Sequence, residues 1–386
     1  MSRTMNSEFN PVDLTAQARL MLLAASGEEG ANEVARILEI PVDGESIRRR
    51  SLPGVLTERV LYDATLACIR SVDCKNVLEL SCGYSPMGWR LSREGYRYVG
   101  ADRTLLAETM KLAAEDKDLA DCRYAAIDYR NEASLFAAAD QLDGPITLIT
   151  QGLTSDMTMD EKLLAIEGIL KVLSAHGGVW FMPDMDARRL TSGFRTIIRG
   201  NSKKESGHAK WKLALDSLGW QDSRTSIPAL NSLGFKAESW PLTVEPELLT
   251  LFPELSPKQK EAANALTAEV SMGRITAEAA PVREGQVKFY TELDGTELVI
   301  YAMGRIDSAT APLLLEHFQT AEAEGGYIDI TMDFSRLDYL SSAGLRALLV
   351  MKKSLGSNTL RIKGANSVLR EIFESTGFDE MMEVCD

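Results

Sequence analysis

Seven residues in the first half of the chain have the types and spacing to hold a nucleoside-type cofactor. Glu79, Ser81 and Gly83 fall within one turn, Asp102 comes 19 positions after Gly83, and Asp128, Tyr129 and Gln151 close later apolar runs. A carboxylate can accept two hydrogen bonds from a ribose diol. A glycine lets the backbone approach a ligand without a Cβ clash. The spacing is close to that at which a nucleotide-binding α/β unit sets an acid against ribose hydroxyls. One glycine turn and one acid also occur in a generic α/β turn, so spacing alone leaves both readings open.

A second cluster lies near the other end, where Ser341-Ser342 precede Ala343-Gly344-Leu345-Arg346. Small hydroxyl residues before an apolar helical run mark a helix start. A phosphate there would meet unpaired backbone N–H groups and the positive end of the helix dipole. Read locally, the same pair is an ordinary helix cap.

The elements that must position the first cluster alternate. Apolar runs at Asn76–Leu80, Tyr98–Ala101, Arg123–Ile127, Pro145–Thr150 and Gly177–Met182 read as strands, with helical stretches such as Met159–Ser174 between them. Such alternation predicts a mostly parallel, doubly wound sheet with its ligand outside the carboxyl ends of the strands. Glu79, Asp102, Asp128 and Gln151 all fall at those ends. Helices are expected before the first strand at Leu14–Ala25, Ala31–Leu38 and Thr57–Val72. On the third, Arg59 and Asp63 share a face, a spacing suited to a surface ion pair of small worth. Around the second cluster, Tyr327–Phe334 alternates like a strand, and Leu345, Leu348 and Leu349 recur at helical spacing.

Composition narrows the function classes. The 386 residues carry a net charge of -14, and both halves are acidic, so no basic face for nucleic acid dominates. The one locally basic stretch contains Arg188, Arg189, Arg195, Arg199, Lys203, Lys204, Lys210 and Lys212. It reads as a solvated or docking helix face, or as an attractor of acidic substrate. No apolar run approaches the roughly 18 residues of a membrane span. Met1–Thr15 lacks the charged and apolar regions of a secretory signal. Five cysteines without metal spacing and three histidines point to a reduced, cytoplasmic protein without structural metal.

Two resemblances extend these readings. Val77–Gly83, Tyr98–Asp102, Asp128 and Gln151-Gly152-Leu153, followed by Gly177-Gly178, resemble class I S-adenosylmethionine-dependent methyltransferases. Within that class the likeness is to the leucine carboxyl methyltransferase group and its bacterial O-methyltransferase relatives. The resemblance implies that Gly83 and its neighbours pass the methionine part, Asp102 holds the ribose, and Asp128-Tyr129 face the adenine. It also implies that Arg59 is aimed at the cofactor carboxylate. Gln151 stands where the family has Glu, and Gln cannot neutralise the cofactor's ammonium. Asp333–Leu349 is similar to the signature of STAS domains, the anti-sigma-factor antagonists, in which the serine two places before the glycine is phosphorylated. That serine is Ser342 here, with Ser341 the second choice, and Ser341 stands where many relatives have Asp.

The expected architecture is therefore α/β throughout. Residues 1–245 form a Rossmann-like methyltransferase domain with N-terminal helices, 246–286 a partly helical linker, and 287–386 a STAS domain. Two functions follow from the resemblances. One is an O-methyltransferase-like protein regulated by its STAS domain, with S-adenosylmethionine as cofactor and a small molecule or carboxylate as methyl acceptor. The other is an anti-sigma-factor antagonist whose first half senses a ligand or is a degenerate scaffold. The second would bring an anti-sigma factor or serine kinase as partner through the STAS domain, which the enzyme reading does not need.

Overall fold

The computed structural model describes residues 11–117, 119, 121–153, 157–199, 227, 230–231, 235–277, 287–294, 297–324, 328–356 and 358–385. The chain separates into two compact units, Met1–Trp220 with Ser239–Ala277, and Gln221–Glu238 with Glu278–Asp386.

The first unit is built on seven strands: β1 (Asn76–Leu80), β2 (Arg97–Asp102), β3 (Cys122–Ala126), β4 (Ile146–Thr150), β5 (Gly178–Met182), β6 (Phe235–Pro241) and β7 (Ser271–Ala277). Their order in the sheet is β3-β2-β1-β4-β5-β7-β6. β1 pairs in parallel with both β2 and β4, β2 with β3, and β4 with β5, while β7 runs antiparallel to β5. β1 and β4 are buried along their whole length, as parallel strands covered on both faces must be. Helices Met87–Arg93, Thr104–Ala114, Glu132–Ala139 and Met159–His176 make the crossovers. This is a doubly wound, Rossmann-like sheet. Its strand order reverses between β1 and β4, and an open α/β sheet binds its ligand at such a switch point.

Three helices precede β1: α1 (Pro11–Ala25), α2 (Glu29–Ile37) and α3 (Gly44–Ser71). α3 bends at Ser51, whose φ/ψ of -137°/37° is not helical. Pro53 explains the bend, because it has no N–H to donate and crowds the preceding turn.

The stretch expected to be a linker does not behave as one through its whole length. Helix Pro257–Glu269 leads into β7, which pairs Trp180 with Ile275 and Met182 with Gly273. The first sheet therefore takes its seventh strand from beyond Val244, and its unit ends at Ala277. The apolar edge of β5 explains the difference, since Trp180, Phe181 and Met182 are fully buried and need a neighbour on that side.

The second unit has five strands: β8 (Lys288–Asp294), β9 (Glu297–Ile306), β10 (Asp329–Leu340), β11 (Leu360–Lys363) and β12 (Glu383–Val384), in the order β12-β11-β10-β9-β8. Only the β8–β9 pair is antiparallel. Helices Ala311–Glu324, Ser342–Ser354 and Ser367–Thr376 cover it, burying Leu314, Phe318, Phe334, Leu348 and Phe373 in one core. β10 extends six residues past the expected Phe334, with register shifts after Asp333 and Leu337. It delivers Leu340 directly to the helix start.

Candidate functional site

The site in the first unit is assembled at the carboxyl ends of β1, β2 and β4. Ser81 leaves β1 with φ 61° and Gly83 follows with φ 51°, so the turn passes twice through the left-handed region that a side chain disfavours. Backbone bonds from Ser81 N and Cys82 N to Ala101 O tie the turn to β2. Gly83 N donates to Asp102 Oδ2 at 2.8 Å, and Arg103 N donates to Oδ1 at 2.7 Å. Asp102 is thus turned onto the glycine turn and the start of helix Thr104–Ala114. It is buried, and burial raises its proton affinity against the pull of those two amides.

Glu79 is buried beneath the same turn. Its Oε2 accepts from Tyr98 Oη at 2.6 Å and Ser85 Oγ at 3.3 Å. Burial outweighs both bonds and pushes the carboxyl up to about 7. Between about pH 4.5 and 7 the folded protein keeps a proton that the unfolded chain has released, so stability falls as pH rises through that window. Glu79→Gln removes this dependence. Its stability relative to wild type is expected to be near zero below the window and to reach on the order of 3 kcal/mol above it. Denaturant titrations across the window check this, and a difference that ignores pH would refute it.

Two cavities lie near the carboxyl ends of the strands, and the turn lines the first of them. The first, about 50 Å³, is lined by Arg19, Glu58, Tyr62, Glu79, Gly83 and Gln151 among others. The second, about 360 Å³, is lined by Arg103, Asp128, Tyr129, Arg130 and Glu161 among others. The structure therefore gathers Glu79, Gly83 and Gln151 on one side and Asp128 and Tyr129 on the other. Asp102 stands beside the turn, and Ser81 is in it. Asp128 is exposed and takes two hydrogen bonds from the Arg130 guanidinium, at 2.9 and 3.1 Å. These lower its proton affinity.

Arg59 lies outside both linings. Its Nε donates to Asp63 at 2.8 Å, and its guanidinium lies 3.9 Å from Glu28. The cation that does line the first cavity is Arg19 of α1, which had drawn no notice in the sequence. Its Nε is 3.2 Å from Glu58 Oε1, and its Nη1 donates to the Gln151 carbonyl at 3.0 Å. Glu58 and Asp184 also went unnoticed. Asp184 Oδ2 accepts from Gly152 N at 2.7 Å, Oδ1 is buried without a partner, and burial pushes the carboxyl up to about 6. The available signal was a charge inside an apolar helix: Arg19 is flanked by Leu20, Leu22 and Leu23, all buried.

Of the basic stretch, Arg189 is bonded to the carbonyl and carboxylate of Glu269 at 3.1 and 3.3 Å. Lys203, Lys204, Lys210 and Lys212 lie outside the described residues. Among the described residues no helix is long and apolar enough to cross a membrane, and no acidic, histidine or cysteine group is placed to hold a metal.

In the second unit the two serines have different roles. Ser341 is the N-cap, with φ/ψ of -84°/171° and its Oγ accepting from Gly344 N at 3.3 Å. Ser342 is the first helical residue and is exposed. Tyr339, 39% exposed, carries the Arg305 guanidinium 4.3 Å above its ring.

Comparison with known proteins agrees with this second unit. Residues 289–383 match the family model described as "Mlab, STAS domain". The chain is 34% identical over 97 residues to BtrV of Bordetella bronchiseptica, named as an anti-sigma factor antagonist, covering 25% of this chain and 82% of that protein. An anti-sigma-B factor antagonist of Listeria monocytogenes is 28% identical over 95 residues, with 24% and 82% covered. A solved SAM-dependent methyltransferase from Anabaena variabilis aligns over 57% of this chain and 86% of its own, at 12% identity and a TM-score of 0.36. Through its C-terminal unit, the chain belongs to the STAS-domain family of anti-sigma factor antagonists.

Proposed function

We propose that the chain is an S-adenosylmethionine-dependent O-methyltransferase-like protein regulated by its STAS domain. One observation carries the first half of this reading. At the switch point of a doubly wound sheet, a turn containing Gly83 is bonded directly to Asp102, with Glu79 beneath it and Asp128 and Tyr129 beyond. That is the donor and acceptor set suited to a nucleoside: a backbone without a side chain for close approach, and carboxylates for hydroxyl donors. Bound S-adenosylmethionine would supply an already activated sulfonium methyl. The protein's own task would then be alignment of donor and acceptor, which can provide much of the rate. A carboxylate acceptor needs no base.

Calorimetric titration with S-adenosylmethionine and S-adenosylhomocysteine tests the reading. Micromolar binding supports it, and no binding at millimolar ligand overturns it. Asp102→Ala is expected to weaken binding by about 1–3 kcal/mol, the range for a lost charge-assisted bond. Unchanged binding would move the site elsewhere.

The second half of the reading rests on Ser342, exposed at the helix start. Its phosphorylation by an ATP-binding serine kinase of the anti-sigma type would switch partner binding. The five thiols are all unpaired, which supports a reducing, cytoplasmic setting.

A further inference from the structure

The first cavity holds charges that the cofactor pattern does not account for. Glu58 projects from α3 and is 4% exposed. Its Oε2 lies 3.5 Å from Gln151 Nε2, beside the residue that stands where the methyltransferases resembled in sequence have an acid. A buried carboxylate requires a cationic or hydrogen-bonding partner. Here that partner is Arg19, which also reaches the Gln151 carbonyl.

The helix that carries Arg19 lies along the glycine turn. Asp13, Ala16 and Arg19 recur at three-residue spacing and so share one face. Tyr84 Oη donates to Asp13 at 2.5 Å. Ala16 Cβ would be 3.4 Å from any Cβ placed on Gly83. This face borders the cavity of about 50 Å³ in which Arg19 meets Glu58.

Resting on the cofactor reading above, we propose that Glu58 is the anionic anchor of this pocket, and that Arg19 is an internal cation occupying it. Glu58 supplies the charge that Gln151 lacks and takes the ammonium of the methionine arm. α1 swings off the turn as that arm enters. The exchange leaves Glu58 paired in both states, so neither conformation bears an isolated buried charge.

Calorimetry on the full chain, with S-adenosylmethionine and S-adenosylhomocysteine as probes, tests this. Arg19→Gln is expected to tighten both by about tenfold and Glu58→Gln to weaken both by about tenfold, the scale of one charged hydrogen bond. Adding Gln151→Glu to Glu58→Gln is expected to restore most of the loss. If wild type binds and Arg19→Gln binds equally or more weakly, the competing role of Arg19 is refuted while the cofactor reading stands. If neither wild type nor Arg19→Gln binds at millimolar ligand, the cofactor reading falls and this inference with it. Hydrogen exchange on wild type gives a readout independent of variant folding. Amides of 14–25 should exchange faster at saturating S-adenosylhomocysteine. Slower exchange would make α1 a lid that closes on the ligand, against the proposal.

Discussion

Replacing Ser342 with Asp is expected to weaken the capture of an anti-sigma-type serine kinase by at least about 100-fold, roughly 3 kcal/mol. Ser342→Ala should bind as wild type does. Ser341 Oγ is committed to Gly344 N, whereas Ser342 begins the helix with its side chain exposed. A negative charge at a helix start is tolerated by the dipole, so the fold should survive the change with its melting temperature nearly unmoved. The cost falls on the partner, which must desolvate or oppose the new charge. Binding titrations of the three proteins decide the matter, and equal affinities for Asp and Ala would end the switch idea. Ser341→Asp is an informative control, because Asp is itself a good N-cap and keeps the bond to Gly344.

Gly178→Ala is expected to cost at least about 3 kcal/mol, more than any other Gly→Ala change among the described residues of the first unit. Gly178 opens β5 with φ 111°, a region in which an L side chain is strained. Its added Cβ would come within 2.0 Å of the Ile146 carbonyl oxygen and 2.8 Å of Ile146 N. Both atoms are backbone of the paired strand β4, so relief requires parting two central strands. Gly177→Ala isolates the strain from the clash. Gly177 has φ 75° and open space around its Cβ position, so its cost should stay near 1–2 kcal/mol. Denaturant unfolding of both variants measures the gap. Similar costs would show that the contact with β4 is relieved cheaply.

What could be read in advance depended on the range over which the signal acts. The alternation of apolar runs placed β1 to β5, and the hydroxyl pair before Leu345 placed the helix start, because both signals lie within a few residues. The departures are long-range. Arg19 meets Glu58 across 39 positions and Gln151 across 132, and no local periodicity records such a meeting. The family resemblance aimed Arg59 at the cofactor carboxylate, whereas here it meets Asp63, the partner its helical spacing offered, and Glu28. β7 escaped notice because Ser271-Met272-Gly273-Arg274-Ile275-Thr276-Ala277 contains a glycine and a charge. What makes it a strand is the apolar edge of β5, some ninety residues earlier.

The place of β7 also bears on how the protein is made. β6 is synthesised before β7 but lies beyond it in the sheet, so it cannot take its seat until β7 has been inserted against β5. At the usual 5–20 residues per second, the interval between Met182 and Ser271 leaving the ribosome is on the order of ten seconds. For that time the nascent chain presents Trp180, Phe181 and Met182 on a strand paired only with β4, whose open edge is of the kind that recruits other strands. Completion of the first sheet is thus deferred until Ser271–Ala277 has emerged.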